Sequence, residues 1–303
     1  MESLYSDRYT IGIVIGVVFG IVTRLSLLQT DYRQYPTYPH GRIIHISLGV
    51  IAAGLGAVAV PSLFDKNYTA ITFLSLAAQQ FRDVRNMERN TLGKIDEMEL
   101  VPRGGTYIEG TAMVFEGRNY MVIFAAFMAS LFTILFGWMY GIAAGIGAGA
   151  VALIFKSGKS ITAAAKVRNA EIRMDGPDLY VDDIYIMNVG LRQDQTLILE
   201  HGMGLIVTPC NRNGRITIAN LGQRQAMLHD LSTILGVYRD SGEPALVPLS
   251  KLDLNDGRLA VFILPQERNP GLAKQVLERV PLLESAVRMP SEAKADMRKA
   301  GSS

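Results

Sequence analysis

Glu109 and Glu116, seven residues apart and flanked by Arg103 and Arg118, are the side chains best placed to act together. On a helix that spacing puts both carboxylates on one face, about 10 Å apart along the axis. That is too far to share a proton, so the expected chemistry is recognition: ion pairs to Arg103 or Arg118, lipid headgroups, or contacts between subunits. A solvated polar helix face at a membrane interface is the plainer reading. Other combinations fail on spacing. Gly158-Lys159-Ser160 ends like a phosphate loop, but Leu153 stands where the first glycine is required. Gly202 and Gly204 lack the third glycine of a dinucleotide fingerprint, whose place Val207 takes. His229 and Asp230 are adjacent and diverge on a helix, so the acid does not orient the base. His40 and His45, five apart, are badly spaced for a helical metal site and read as interfacial residues near Tyr32, Tyr35 and Tyr38. Cys210 is the single cysteine. It excludes an intrachain disulfide and a Cys-rich zinc site, and it reads as structural in preference to reactive. No catalytic set, metal site or cofactor is expected.

The elements that must position these residues differ between the two halves of the chain. Of 303 residues, 19% are charged. Residues 1–155 hold 11 Lys/Arg and 11 Asp/Glu, against 19 and 17 in residues 156–303. The net charge of +2 gives no basic excess for nucleic acid, and none is expected as a partner. Residues 9–23, 43–64, 67–81 and 119–155 are free of Asp, Glu, Lys and Arg. A helix needs about 20 apolar residues to cross a hydrocarbon core about 30 Å thick. Ile43 to Phe64 meets that length, and Tyr9 to Thr23 does so if continued to Leu28 with Arg24 snorkelling to the interface. The last run is too long for one crossing and reads as a hairpin turning near Gly137, Trp138, Met139 and Tyr140. The run 67–81 is short for a span, with a re-entrant helix as its rival.

Five crossings put Arg24, Arg33, Arg42, the six basic residues from Arg82 to Arg118, and Lys156 to Arg168 on one side, leaving only Arg8 and Lys66 opposite. Basic loops stay cytoplasmic, so the N-terminus is expected outside and the C-terminal domain in the cytosol. Glu2 and Asp7, with no small-residue cleavage site, argue against a signal peptide. Gly12, Gly16 and Gly20 recur every fourth residue in the first helix, as do Gly137, Gly141, Gly145 and Gly149 in the last. Such spacing makes close packing seams inside the bundle, or a homo-oligomeric zipper. No acid or base stands mid-span, which disfavours a coupled transporter.

The connection 82–118 is hydrated. Phe81 to Met98 reads as an amphipathic interfacial helix with Arg85 and Glu88 on its polar flank, Val101-Pro-Arg-Gly-Gly105 as a break, and Thr106 to Arg118 as a second helix. Lys156 to Val167 is expected to prolong the last membrane helix. Beyond it, Tyr180 to Val189, Gln195 to Glu200, Gly204 to Thr208 and Arg215 to Ala219 read as strands, with Asn213-Gly214 as a tight turn. Leu221 to Leu235 reads as a helix ending near Gly236, Leu259 to Leu264 as a buried strand, and Pro270 as the opening of a final helix. The expected fold is therefore an integral membrane helical bundle of about five transmembrane helices over 1–155, a cytosolic mixed α/β domain over 156–288, and a polar tail over 289–303.

The stretch FRDVRNMERNTL (Phe81 to Leu92), followed by VPRGGTYIEGTAMVFEGRNY (Val101 to Tyr120), resembles the YIEGIA family of membrane proteins from endospore-forming Firmicutes. The motif residues here are Tyr107, Ile108, Glu109, Gly110, Thr111 and Ala112, with Thr111 in place of the family's second isoleucine. The resemblance implies a role in sporulation and residence in the mother-cell or forespore membrane. The leading expectation is a non-enzymatic membrane protein whose cytosolic domain assembles or regulates spore-envelope proteins, with partners in the bilayer and among proteins of sporulating cells. A membrane-associated enzyme or regulated protease is the alternative, as is a passive channel lined by the glycine helices.

Overall fold

The structure, a computed structural model, describes residues 2–34, 39–155, 158–240, 243–283 and 286. The expected tail over 289–303, with Tyr35, Tyr38 and Lys156, lies outside them. The chain forms two compact units, Met1–Asn90 with Thr111–Ser157 and Thr91–Gly110 with Gly158–Ser303.

The first unit is helical. It contains α1 (Glu2–Gln34), α2 (Pro39–Phe64), most of α3 (Tyr68–Asp96) and of α4 (Gly105–Phe136), and α5 (Trp138–Ile154). Three helical stretches are long and apolar enough to cross a membrane, Asp7–Leu28, Gly41–Phe64 and Gly105–Phe136, while Trp138–Ile154 is a shorter apolar helix. Small residues set the packing. A Cβ added at Gly16 would lie 2.7 Å from Ala126 O and 2.9 Å from Ala57 Cβ, and one at Gly20 would lie 2.5 Å from Ala53 Cβ. Gly12 faces Ile134 in the same way. These approaches run in opposite residue order along α2 and α4, so α1 is antiparallel to both. Gly141 abuts Thr133, Gly145 abuts the Phe19 ring, and Gly149 faces Thr23. Gly137 plays another part: its φ of 105° is one that L side chains avoid. It ends α4 and starts α5, where the hairpin turn was expected.

Apolar side chains lie on the outside of this unit. Ile11, Val14, Val18, Val22 and Leu25 of α1, Ile43, Ile46, Val50 and Ile51 of α2, and Ile146, Val151 and Ile154 of α5 are all exposed. The short apolar run 67–81 and the amphipathic helix after it are one continuous helix, α3, capped by the Asn67 side chain, which accepts from Ala70 N at 3.0 Å.

The second unit is α/β. An antiparallel four-stranded sheet has the order β1 (Ala165–Ala170), β5 (Met203–Pro209), β9 (Leu259–Ile263), β8 (Leu249–Leu252). Alternate residues of β5 and β9 enter different cores. Met203, Leu205, Val207, Leu259, Val261 and Ile263 pack against α7 (Arg212–Ala219), α8 (Leu221–Leu235) and α9 (Pro270–Arg279). Ile206, Ala260 and Phe262 pack against a second antiparallel sheet of β2 (Ile172–Asp175), β3 (Asp178–Val181) and β4 (Ile184–Asn188), together with α6 (Arg192–His201). A two-stranded ribbon, β6 (Arg239–Asp240) with β7 (Glu243–Pro244), completes the described strands.

Four local expectations are corrected. Residues 158–167 do not prolong α5; a 3-10 turn (Ile161–Ala163) leads directly into β1. Gln195 to Glu200 is helical within α6, where the apolar run presents Ile198 to the core. Asn213-Gly214 and Arg215 to Ala219 belong to α7, because the Asn211 side chain caps that helix by accepting from Gly214 N at 2.8 Å. Tyr180 to Val189 is a hairpin, with Asp182 at φ 53° in its turn.

Candidate functional site

Four helices of the first unit send polar side chains to one level of the bundle. Arg24 of α1 is 1% exposed. Its stem fills the space where a Cβ at Gly49 would sit, its Nε donates to His45 O at 3.3 Å, and its guanidinium lies 5.0 Å over the Phe115 ring. Arg24 therefore turns inward and does not snorkel. His45 of α2 packs on the same ring at 4.6 Å, and its Nε2 is 3.1 Å from Glu88 Oε1 of α3. His45 and Glu88 are both buried, so Glu88 is no part of a solvated flank. Arg85 Nη1 donates to Glu116 Oε2 at 3.3 Å. Arg118 and Asn119 are buried beside them on α4.

The geometry pairs a histidine with a carboxylate, and no Ser, Thr or Cys side chain is among the contacts described for that pair. Among the described residues no group of three or more His, Cys, Asp and Glu side chains could hold a metal ion. What the layer does is hold four helices at a common level by charge and hydrogen bonding. Such polar groups in an apolar bundle are costly to bury and act as strong interhelical ties once paired.

A second polar cluster lies within the α/β unit, where the connection between α3 and α4 is gripped by α8. The Asp96 carboxylate closes the connection, accepting from Arg103 N at 2.7 Å and Gly104 N at 2.8 Å. His229 Nδ1 is 2.6 Å from Val101 O, and Gln225 Nε2 donates to Pro102 O at 2.7 Å. Arg103 lies 3.8 Å from Asp230 and 5.8 Å over the Tyr107 ring. Burial pushes the Asp230 carboxyl above the usual carboxylate range, against the pull of Arg103 and His229. Gly222 lets Tyr107 settle on α8, since a Cβ there would lie 2.8 Å from Tyr107 N. One stripe of α8, Gly222, Gln225, Ala226, His229 and Asp230, thus receives the segment Val101 to Tyr107. His229 serves as a hydrogen-bonding post for the loop and Asp230 as the ion-pair partner of its Arg103.

These two clusters divide the residues that the sequence singled out. Tyr107 and Ile108 are buried, Glu109 half-buried and Gly110 buried in the α/β unit, whereas Thr111 and Ala112 are buried in the helical unit. Glu109 and Glu116 belong to different units. Glu116 pairs with Arg85, and Arg103 with Asp230. The glycines at 12, 16, 20, 141, 145 and 149 face helices of their own unit, and Gly137 has nothing within 4 Å. Sequence reasoning passed over Arg24, His45 and Glu88 as a set. The available signal was an arginine and a histidine within apolar helices, which by itself asks for a buried partner.

The uncharacterized protein YphB of Bacillus subtilis (strain 168) is 58% identical to this chain over 285 residues, covering 94% of this chain and 96% of that protein. No solved structure matches the chain. The family described as YIEGIA protein matches residues 12–293, far beyond the stretch that carries the motif, and the chain belongs to the YIEGIA family.

Proposed function

We propose that this chain is a membrane protein of sporulating cells, in which five helices cross the bilayer with the N-terminus outside and hold the α/β unit in the cytosol. There that unit assembles or regulates proteins of the spore envelope. Kinship with a protein of an endospore former supports the setting. The inverted packing of the helical unit supports the bilayer, because small residues inside and large apolar ones outside suit lipid and not water.

The pairing of His45 with Glu88 carries the five-helix reading. His45 stands 21 residues before Lys66, in the turn between α2 and α3, and Glu88 stands 22 after it. At about 1.5 Å per residue, α3 returns along α2 for about 30 Å, the thickness of the hydrocarbon core. A bilayer crossed by α2 is then crossed by α3 as well, despite the polar content of α3.

Deleting the gene tests the setting. Fewer spores, altered envelope morphology or lost resistance are expected, and normal yield, morphology and resistance would remove the sporulation role.

A further inference from the structure

We infer that the outward face of the second half of α3 is a docking surface for the same face of a second copy of this chain, an inference that rests on the membrane reading above. Internal contacts define the depth of each helix. Arg24 of α1, His45 of α2, Glu88 of α3 and Phe115 of α4 share one level, and Gly149 of α5 faces Thr23 beside it. At and beyond that level the other helices remain apolar on the outside, with Leu25, Ile43, Met113 and Ile154 all exposed. Only α3 differs. Over the same depth Gln79, Gln80, Arg82, Asp83 and Asn86 are exposed, opposite in character to Ile43, Ile46 and Val50 on the antiparallel stretch of α2.

Lipid cannot hydrogen-bond to this stripe, and a face of amides and charges turned to lipid is the arrangement that bilayers select against. The chemistry of the stripe names the occupant. Gln79, Gln80 and Asn86 each carry a donor and an acceptor, and Arg82 and Asp83 supply both signs of charge side by side, so the face is complementary to itself. Side-chain amides of this kind join transmembrane helices across an interface, and a two-fold pairing presents the same patch from each copy. The glycines of α1 and α5 that could have formed a zipper between copies are occupied within the helical unit. That moves the self-association surface to α3.

Cys210 is the single cysteine, so Cys210→Ser gives a clean background for Gln79→Cys, Asp83→Cys and Asn86→Cys, with Val18→Cys and Val50→Cys as outward controls on α1 and α2. Membranes from expressing cells are treated with a copper-phenanthroline oxidant. Expected is a disulfide-linked species of twice the chain mass from the α3 variants, at least tenfold above the controls. Equal cross-linking at all five positions, no cross-linking, or an adduct of another mass would overturn the proposal. Alkaline carbonate extraction of the same membranes separates the two ideas. A chain that stays in the membrane yet does not cross-link through α3 sinks only the docking surface, whereas a chain released by carbonate sinks the membrane reading and the docking surface with it.

Discussion

The two units bury opposite kinds of side chain. In the helical unit the core cluster is mostly small, Ala52, Ala53, Ala57 and Ala126 beside Phe81 and Val122, with glycines against helix backbones and many valines and isoleucines outside. In the α/β unit the core is Leu205, Leu231, Phe262, Ile263 and their like, and charged pairs such as Arg168 with Asp182 and Arg258 with Asp183 lie on the surface. Water drives large apolar groups inward, while lipid is indifferent to them and leaves close backbone approach and polar ties to hold helices together. Ion pairs follow the same division, with His45 and Glu88 sealed within their bundle and Asp183 largely exposed. The contrast teaches that identical residue types have different work in the two units, so equivalent substitutions should not have equivalent effects.

The largest expected effect is at the buried pair. Glu88→Ala leaves His45 without its buried hydrogen-bond partner and should cost about 1–3 kcal/mol, the scale for orphaning a buried polar group. Asp183→Ala on the α/β surface should be nearly silent. Thermal aggregation of the detergent-solubilised protein reads both, and equal losses would erase the distinction. Next comes packing: Gly16→Val, forced against Ala126 O and Ala57, should cost about 1–3 kcal/mol by overpacking. Gly147→Val, with nothing within 4 Å of its Cβ position, should leave accumulation in membranes unchanged. Similar losses for the two would mean that the seam is not a seam.

The smallest effect is one of pH, and its sign differs between two carboxylates of the α/β unit. Burial raises Asp230, so its favourable contribution belongs to the protonated form, is full below the ordinary carboxylate value and is lost as pH rises through the raised one. Asp183 is lowered, first by its hydrogen bond to the Arg258 side chain, so its contribution is present above the ordinary value and is lost as pH falls through the lowered one. Over a range from about pH 2 to about pH 7, Asp183→Asn should therefore lose in melting temperature relative to wild type as pH rises to about 4, and Asp230→Asn should gain as pH rises above it. Melting curves across that range that show no opposition between the two variants would contradict the assignment.

Much of this contrast was written in composition and spacing. Charge-free runs located α1, α2, α4 and α5, and Gly137 marked the turn between the last two because few other residues tolerate its backbone. Strands β5 and β9 stood out because both of their faces are buried, which demands continuous apolar runs. β1 was hidden, since AKVRNA lies at a sheet edge and buries only part of one face. α6 and α7 read as strands in the sequence because Thr, Ile and Leu clusters favour either state, and what decides α7 is a cap at Asn211 outside the apolar run. The polar layer was the hardest to read: Arg24, His45, Glu88 and Phe115 come from four helices, and only the packing of those helices brings them to one level. The motif yielded its place but not its division, since nothing in the letters says that Tyr107 packs in one unit and Ala112 in the other.

The side of the membrane on which each end of α3 emerges tests the central claim most directly. In a Cys210→Ser background, Lys66→Cys and Met98→Cys are exposed to a membrane-impermeant thiol reagent in intact and in lysed cells. On the proposed topology, in which α3 crosses the bilayer beside α2, Lys66→Cys should label in intact cells and Met98→Cys only after lysis. Labelling of both positions in intact cells, or of neither until lysis, would place the two ends of α3 on one side and contradict the account.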